Sequence, residues 1–164
     1  MIQNNTFWDD RVEKLGHTGW ADFATYYYDQ NLRLNAIDKI IATSGIKFKT
    51  ALDYGCGTGD FSKRISKYFD KVIATDISDK VVDIARSENN DDTIEYSTLN
   101  DKIFNYSYDL ILSITVLQHI LDNDLLSELI EKFKASLNPH GTIIVLESFS
   151  DVDTNSAYIK LRKA

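Results

Sequence analysis

Short segments that are apolar on both faces, such as "LILSI" (110–114) and "TIIVL" (142–146), alternate along this chain with segments whose apolar residues recur at helical spacing. A strand with no polar face must be covered by helices on both sides. That is the situation of a parallel sheet, because an antiparallel sheet commonly leaves one face in water. Reading forward, "KTALDYG" (49–55), "KVIATD" (71–76), "TIEYST" (93–98), "YDLILSIT" (108–115) and "GTIIVLES" (141–148) are five expected strands. Between them lie "DFSKRISKYF" (60–69), with Asp60 placed to cap it, "SDKVVDIARSEN" (78–89), capped by Ser78, and "DNDLLSELIEKFKASLN" (122–138), stopped by Asn138-Pro139. A further helix, "NLRLNAIDKIIATSG" (31–45), precedes the first strand and ends at Gly45. The expected architecture is a three-layer, doubly wound, Rossmann-like α/β sheet forming one domain over 1–164: an aromatic N-terminal segment (1–30), a ligand-binding core (31–150) and a tail (151–164).

Composition narrows the function. With 164 residues and 43% hydrophobic content, the chain can bury one core but not two. A net charge of −7 works against a nucleic-acid partner, which normally needs a basic face. The single cysteine, Cys56, cannot close an intrachain disulfide, and "MIQNNTFWDD" has no signal-like basic and apolar regions, so a cytoplasmic setting is expected. No stretch approaches the roughly 20 apolar residues of a membrane span, and no metal site is expected.

In a doubly wound sheet the ligand lies beyond the carboxyl ends of the strands. There the sequence places Asp53 and the glycine turn of "LDYGCGTGDF" (52–61), Asp76, the Leu99-Asn100 pair, Ser113 with "TVLQH", and Glu147. Asp76, 21 positions after Gly55, can accept the hydroxyl hydrogens of a ribose. The glycines Gly55, Gly57 and Gly59 do not have dinucleotide-binding spacing, and Asp60 and Asp53 add negative charge that repels phosphate. A cationic nucleoside without phosphate suits this turn better.

The motif "ALDYGCGTGDFS", followed by "IATDIS", "YSYDLILSITVLQHI" and "LNPHGTIIVLES", resembles that of class I S-adenosylmethionine-dependent methyltransferases over roughly residues 48–148. The resemblance implies S-adenosylmethionine as cofactor, S-adenosylhomocysteine as product and a small-molecule acceptor attacked in line. It puts Asp53 at the methionine amino end and Gly55, Cys56 and Gly57 along the methionine and ribose. Asp76 then takes the ribose hydroxyls, Ile77, Leu99 and Asn100 meet the adenine, and Ser113 lies close by. Tyr28, with Arg33 or Arg11 for the methionine carboxylate, completes the expected cofactor set. His17, Trp20 and His119 are the expected substrate contacts, and His119 and Glu147 the candidate bases. The family usually carries two more strands than fit before Ala164, so strand five is expected to be an edge through which two copies could pair. Rival readings are a cofactor-binding module without catalysis and, less favoured by the glycine spacing, a nicotinamide-dependent oxidoreductase. A nucleic-acid base methyltransferase is disfavoured because "SITVLQH" contains no proline.

Overall fold

The computed structural model describes residues 5–19, 22–44 and 49–147. Strands β1 (Thr50–Tyr54), β2 (Lys71–Asp76), β3 (Ile94–Thr98), β4 (Tyr108–Ile114) and β5 (Leu137–Leu146) form one sheet ordered β3-β2-β1-β4-β5, every adjacent pair parallel. Helices α1 (Asn5–Leu15), α2 (Phe23–Ser44), α3 (Asp60–Ser66), α4 (Asp79–Glu88) and α5 (Asn123–Ala135) join them, with 3-10 turns at Asp101–Asn105 and Leu117–His119. The chain winds outward from β1 to β3, then returns to β1's other side for β4 and β5. The crevice of a doubly wound sheet therefore opens between β1 and β4.

Strand alternation divides the core. Ala51, Leu110 and Leu112 pack with Ile37 and Ile41 of α2 and with Phe61 and Ile65 of α3 on one face. Leu52, Ile73 and Ile111 pack with Leu129 and Phe133 of α5 on the other. Each such aliphatic side chain, removed from water, contributes about 1.5–3 kcal/mol. Ser78 caps α4 as expected, its hydroxyl accepting from the Val81 N–H at 3.1 Å. Among the described residues no helix is long and apolar enough to cross a membrane.

Three local expectations need correction. The helix expected to begin at Asn31 begins earlier, because α2 runs unbroken from Phe23 to Ser44; no glycine or proline interrupts it. Asp60 does not cap α3: the cap position is Gly59, at φ +89°, and no side chain caps the helix. Asn138-Pro139 does not end α5, which stops at Ala135, and β5 already begins at Leu137. Pro139 is accommodated because β5 is the edge strand of the described sheet and its pairing with β4 shifts register between Tyr108 and Leu110. Residues 148–164, which include the expected tail (151–164), lie outside the described residues.

Candidate active site

β1 leaves the sheet at Gly55 with φ +78°, and a Cβ there would stand 2.3 Å from Val116 Cγ2. Only glycine lets the β1–α3 loop pass this close to the chain leaving β4. The Gly55 and Cys56 N–H groups donate to the Thr75 carbonyl at 2.7 and 2.9 Å, which ties the loop to β2. The Gly57 N–H donates to Asp76 Oδ2 at 3.0 Å, and the Ser78 N–H to Asp76 Oδ1 at 3.1 Å. Burial raises the Asp76 carboxyl above its usual range, and these backbone donors partly oppose that shift.

Above the loop lies a cleft of about 1020 Å³, at the upper end of what one small ligand needs. Gly55, Cys56, Gly57, Asp76 and Ile77 line it from β1 and β2. Leu99, Asn100, Arg33 and His119 line it from the other elements. Six acidic side chains face it, Asp29, Asp60, Asp76, Asp101, Asp122 and Glu128, against Arg33 and Lys132. Lys132 is already paired with Glu128 at 2.9 Å, so the cleft's balance is acidic. Asp60, although it caps nothing, still faces the cleft and accepts from Thr58 Oγ1 at 3.2 Å. It also helps burial push the Tyr26 phenol to about 12.

Other expected residues sit elsewhere. Asp53 is fully buried beneath the loop, accepting from Ser62 Oγ at 2.6 Å, and burial raises its carboxyl to about 7. Ser113 is 0% exposed, below the cleft floor, and its hydroxyl has no partner among the described residues. Tyr28 is 66% exposed and outside the cleft lining; Tyr26, two residues earlier on α2, takes its place. His17 is buried, its ring stacked on Tyr26 at 4.1 Å and its Nδ1 accepting from the Gly19 N–H at 3.1 Å. It shapes the loop whose Thr18 and Gly19 line the cleft, and does not line it itself. Arg11 likewise donates to the Thr18 and Gly19 carbonyls, which leaves Arg33 as the cation at the cleft wall. Trp20 lies outside the described residues.

The two candidate bases differ. His119 lines the cleft edge-on to Trp8, with ring centroids 5.1 Å apart, and burial, aided by Arg11, lowers its pKa so that the neutral imidazole is favoured. Glu147 does not line the cleft. Its carboxylate accepts from the N–H groups of Val116 (3.2 Å), Leu117 (2.9 Å) and Gln118 (3.3 Å), which makes it the anchor of the turn that carries His119.

Sequence reasoning singled out neither Trp8 nor Thr75, both at the cleft, whereas Thr115, the first residue of "TVLQH", lies at the rim where that segment was placed. Thr115 adopts φ +57°, rare for a non-glycine residue and a known mark of functional sites. Thr75, next to Asp76 at a strand end, carried a positional signal; Trp8 carried none beyond its place in the aromatic segment.

A cleft at the crossover point of a doubly wound sheet, with a glycine turn and a carboxylate at the next strand's end, defines a Rossmann-like α/β domain. Residues 25–162 match the family described as "Methyltransferase domain", and the chain belongs to that family. It is 31% identical over 105 residues to N-demethylindolmycin N-methyltransferase of Streptomyces griseus, covering 61% of this chain and 44% of that one. It is 28% identical over 164 residues to ubiquinone biosynthesis O-methyltransferase of Shewanella halifaxensis, covering 92% of this chain and 64% of the relative. The chain thus spans about half to two thirds of the length of these relatives. Among solved structures, the DhpI–SAH complex superposes with a TM-score of 0.69 at 19% identity, covering 90% of this chain and 69% of that one. The fold is that of class I S-adenosylmethionine-dependent methyltransferases.

Proposed function

We propose that this domain binds S-adenosylmethionine across the carboxyl ends of β1 and β2 and directs its methyl group to a small-molecule acceptor. The observation that carries the reading is the acidic cleft built on the glycine turn and Asp76. The residues fit the cofactor. Asp76 presents acceptor oxygens at the strand end, Gly55 and Gly57 leave backbone where a side chain would stand, and Thr75 Oγ1 is buried at the cleft without a hydrogen-bond partner among the described residues. Arg33 makes no ion pair among the described residues and is the expected partner of the methionine carboxylate. A cation in the cleft also draws Asp53 toward its charged form, opposing the burial that raises it.

When bound, the cofactor supplies an electrophilic methyl on sulfonium. The protein's contribution is then to hold the acceptor in line and exclude water. Trp8 and His119 form the wall beside which an acceptor would sit. Neutral His119 accepts the acceptor's proton. Methyl transfer is therefore expected to stay level as pH falls below the ordinary histidine range, and to drop only when His119 protonates. His119→Asn should remove that acid limb and lower kcat on the order of 100-fold, read from a pH–rate profile of the purified domain. An unchanged profile means that the acceptor needs no base.

Isothermal titration tests the cofactor reading. S-adenosylmethionine and S-adenosylhomocysteine should bind in the micromolar range while NAD does not; tight NAD binding overturns the reading. A methyl-labelled cofactor supplied with a small-molecule extract should then label that fraction and not added nucleic acid. Binding without any transfer would reduce the domain to a binding module.

A further inference from the structure

Helix α1 carries Phe7 and Trp8 onto the cleft, and it meets the core at the first turn of α4. Two polar contacts join them. The Ser78 hydroxyl donates to Asp9, and the Lys80 ammonium pairs with Glu13. Ser78 is fully buried, and every polar atom that could tie it to its surroundings is used. Its N–H holds Asp76 Oδ1, its oxygen accepts from the Val81 N–H, and its O–H reaches Asp9. The same Asp76 carboxylate holds the Gly57 N–H from the glycine turn. A continuous chain of hydrogen bonds thus runs from the turn through Asp76 and Ser78 to the helix that walls the cleft.

We propose that Ser78 is a positioning residue that latches α1 over the cleft, so that the grip of Asp76 on the ribose and the closure of α1 over the nucleoside stabilise one another. This rests on the cofactor reading above. Fixing Ser78 fixes both Asp76 and Asp9. Conversely, releasing Asp9 lets α1 lift without disturbing the strand ends, so the effect falls on ligand escape more than on the chemistry of the site.

The experiment is the dissociation rate of S-adenosylhomocysteine, followed by tryptophan fluorescence in stopped flow, with kcat and KM measured alongside. Asp9→Ala, which leaves the α4 cap intact, should speed dissociation about tenfold. Ser78→Asp keeps an acceptor for Val81 but places a carboxylate against Asp9, and should speed it at least as much. Combining Ser78→Asp with Asp9→Asn restores a donor–acceptor pair of reversed polarity and should slow dissociation back toward the parent rate. A merely structural role for Ser78 predicts no such rescue. If the parent binds S-adenosylhomocysteine but Asp9→Ala dissociates at the parent rate, or the double variant shows no recovery, the latch is overturned and the cofactor reading stands. If the parent does not bind S-adenosylhomocysteine, the cofactor reading itself fails.

Discussion

Asp76→Ala is expected to lower the affinity for S-adenosylmethionine about 100-fold or more. Hydrogen bonds to a charged acceptor are worth about 1.5–3 kcal/mol each, and a ribose offers two hydroxyl donors. The substitution also leaves the N–H groups of Gly57 and Ser78, held at 3.0 and 3.1 Å, without their acceptor, so the glycine turn loses its anchor to β2. Asp76→Asn keeps one oxygen and should fall between the two. Because burial raises the Asp76 carboxyl, the acceptor is lost from the acid side earlier than for an exposed aspartate. Affinity therefore weakens as pH falls through that raised value and is fully present above it. Titration calorimetry at two pH values, with a thermal melt of each variant to confirm folding, checks both statements; unaltered affinity in Asp76→Ala would remove Asp76 from the ribose site.

The second large effect is expected at Glu147, and it separates positioning from catalysis. Glu147→Ala orphans three N–H groups in a half-buried turn. With partial replacement by water, the loss is about 2 kcal/mol, or about 4–8 °C in melting temperature for a domain of this size. The turn bears Val116, packed against Gly55, and His119, packed against Trp8, so its shift should lower kcat about 10- to 100-fold with a smaller change in cofactor affinity. Glu147→Gln retains one carbonyl oxygen for the amides but no basicity. If it keeps most of the activity, Glu147 is a positioning residue; activity as low as that of the alanine variant, in a protein that melts like the parent, would restore it as a base.

How far the site could be read in advance varies by residue, for physical reasons. Gly55, Gly57 and Asp76 were legible because their demands are local: a positive φ at the turn, a close backbone approach and a carboxylate at a strand end. Asp53 and Ser113 were harder. Both stand near strand ends, but which side of the sheet a strand residue faces, and how far below the rim it lies, depends on register with the neighbouring strands. The register puts Asp53 beside Leu112 and Ala74, within the buried layer. His17 reads as a polar loop residue available to a substrate, yet it is consumed by a ring stack with Tyr26 from a different helix. Glu147 looked like a base because it ends a strand at the ligand rim, and only the fold of the segment after β4 shows three amides pointing at it. The join between the N-terminal aromatic segment and α2 was misread for a related reason: nothing local breaks that helix, and "YYYDQ" favours neither outcome strongly.

The parallel, doubly wound class, and a glycine turn that meets a carboxylate at the end of the next strand, follow from strand hydrophobicity and glycine spacing, which act over a few neighbouring residues. Which aromatic rings reach the cleft, which acids line it and which of the two candidate bases lines it were decided by tertiary structure. Those outcomes depend on contacts between residues far apart in the chain, such as Asp9 with Ser78 and Glu147 with Val116, and short-range preferences cannot specify them.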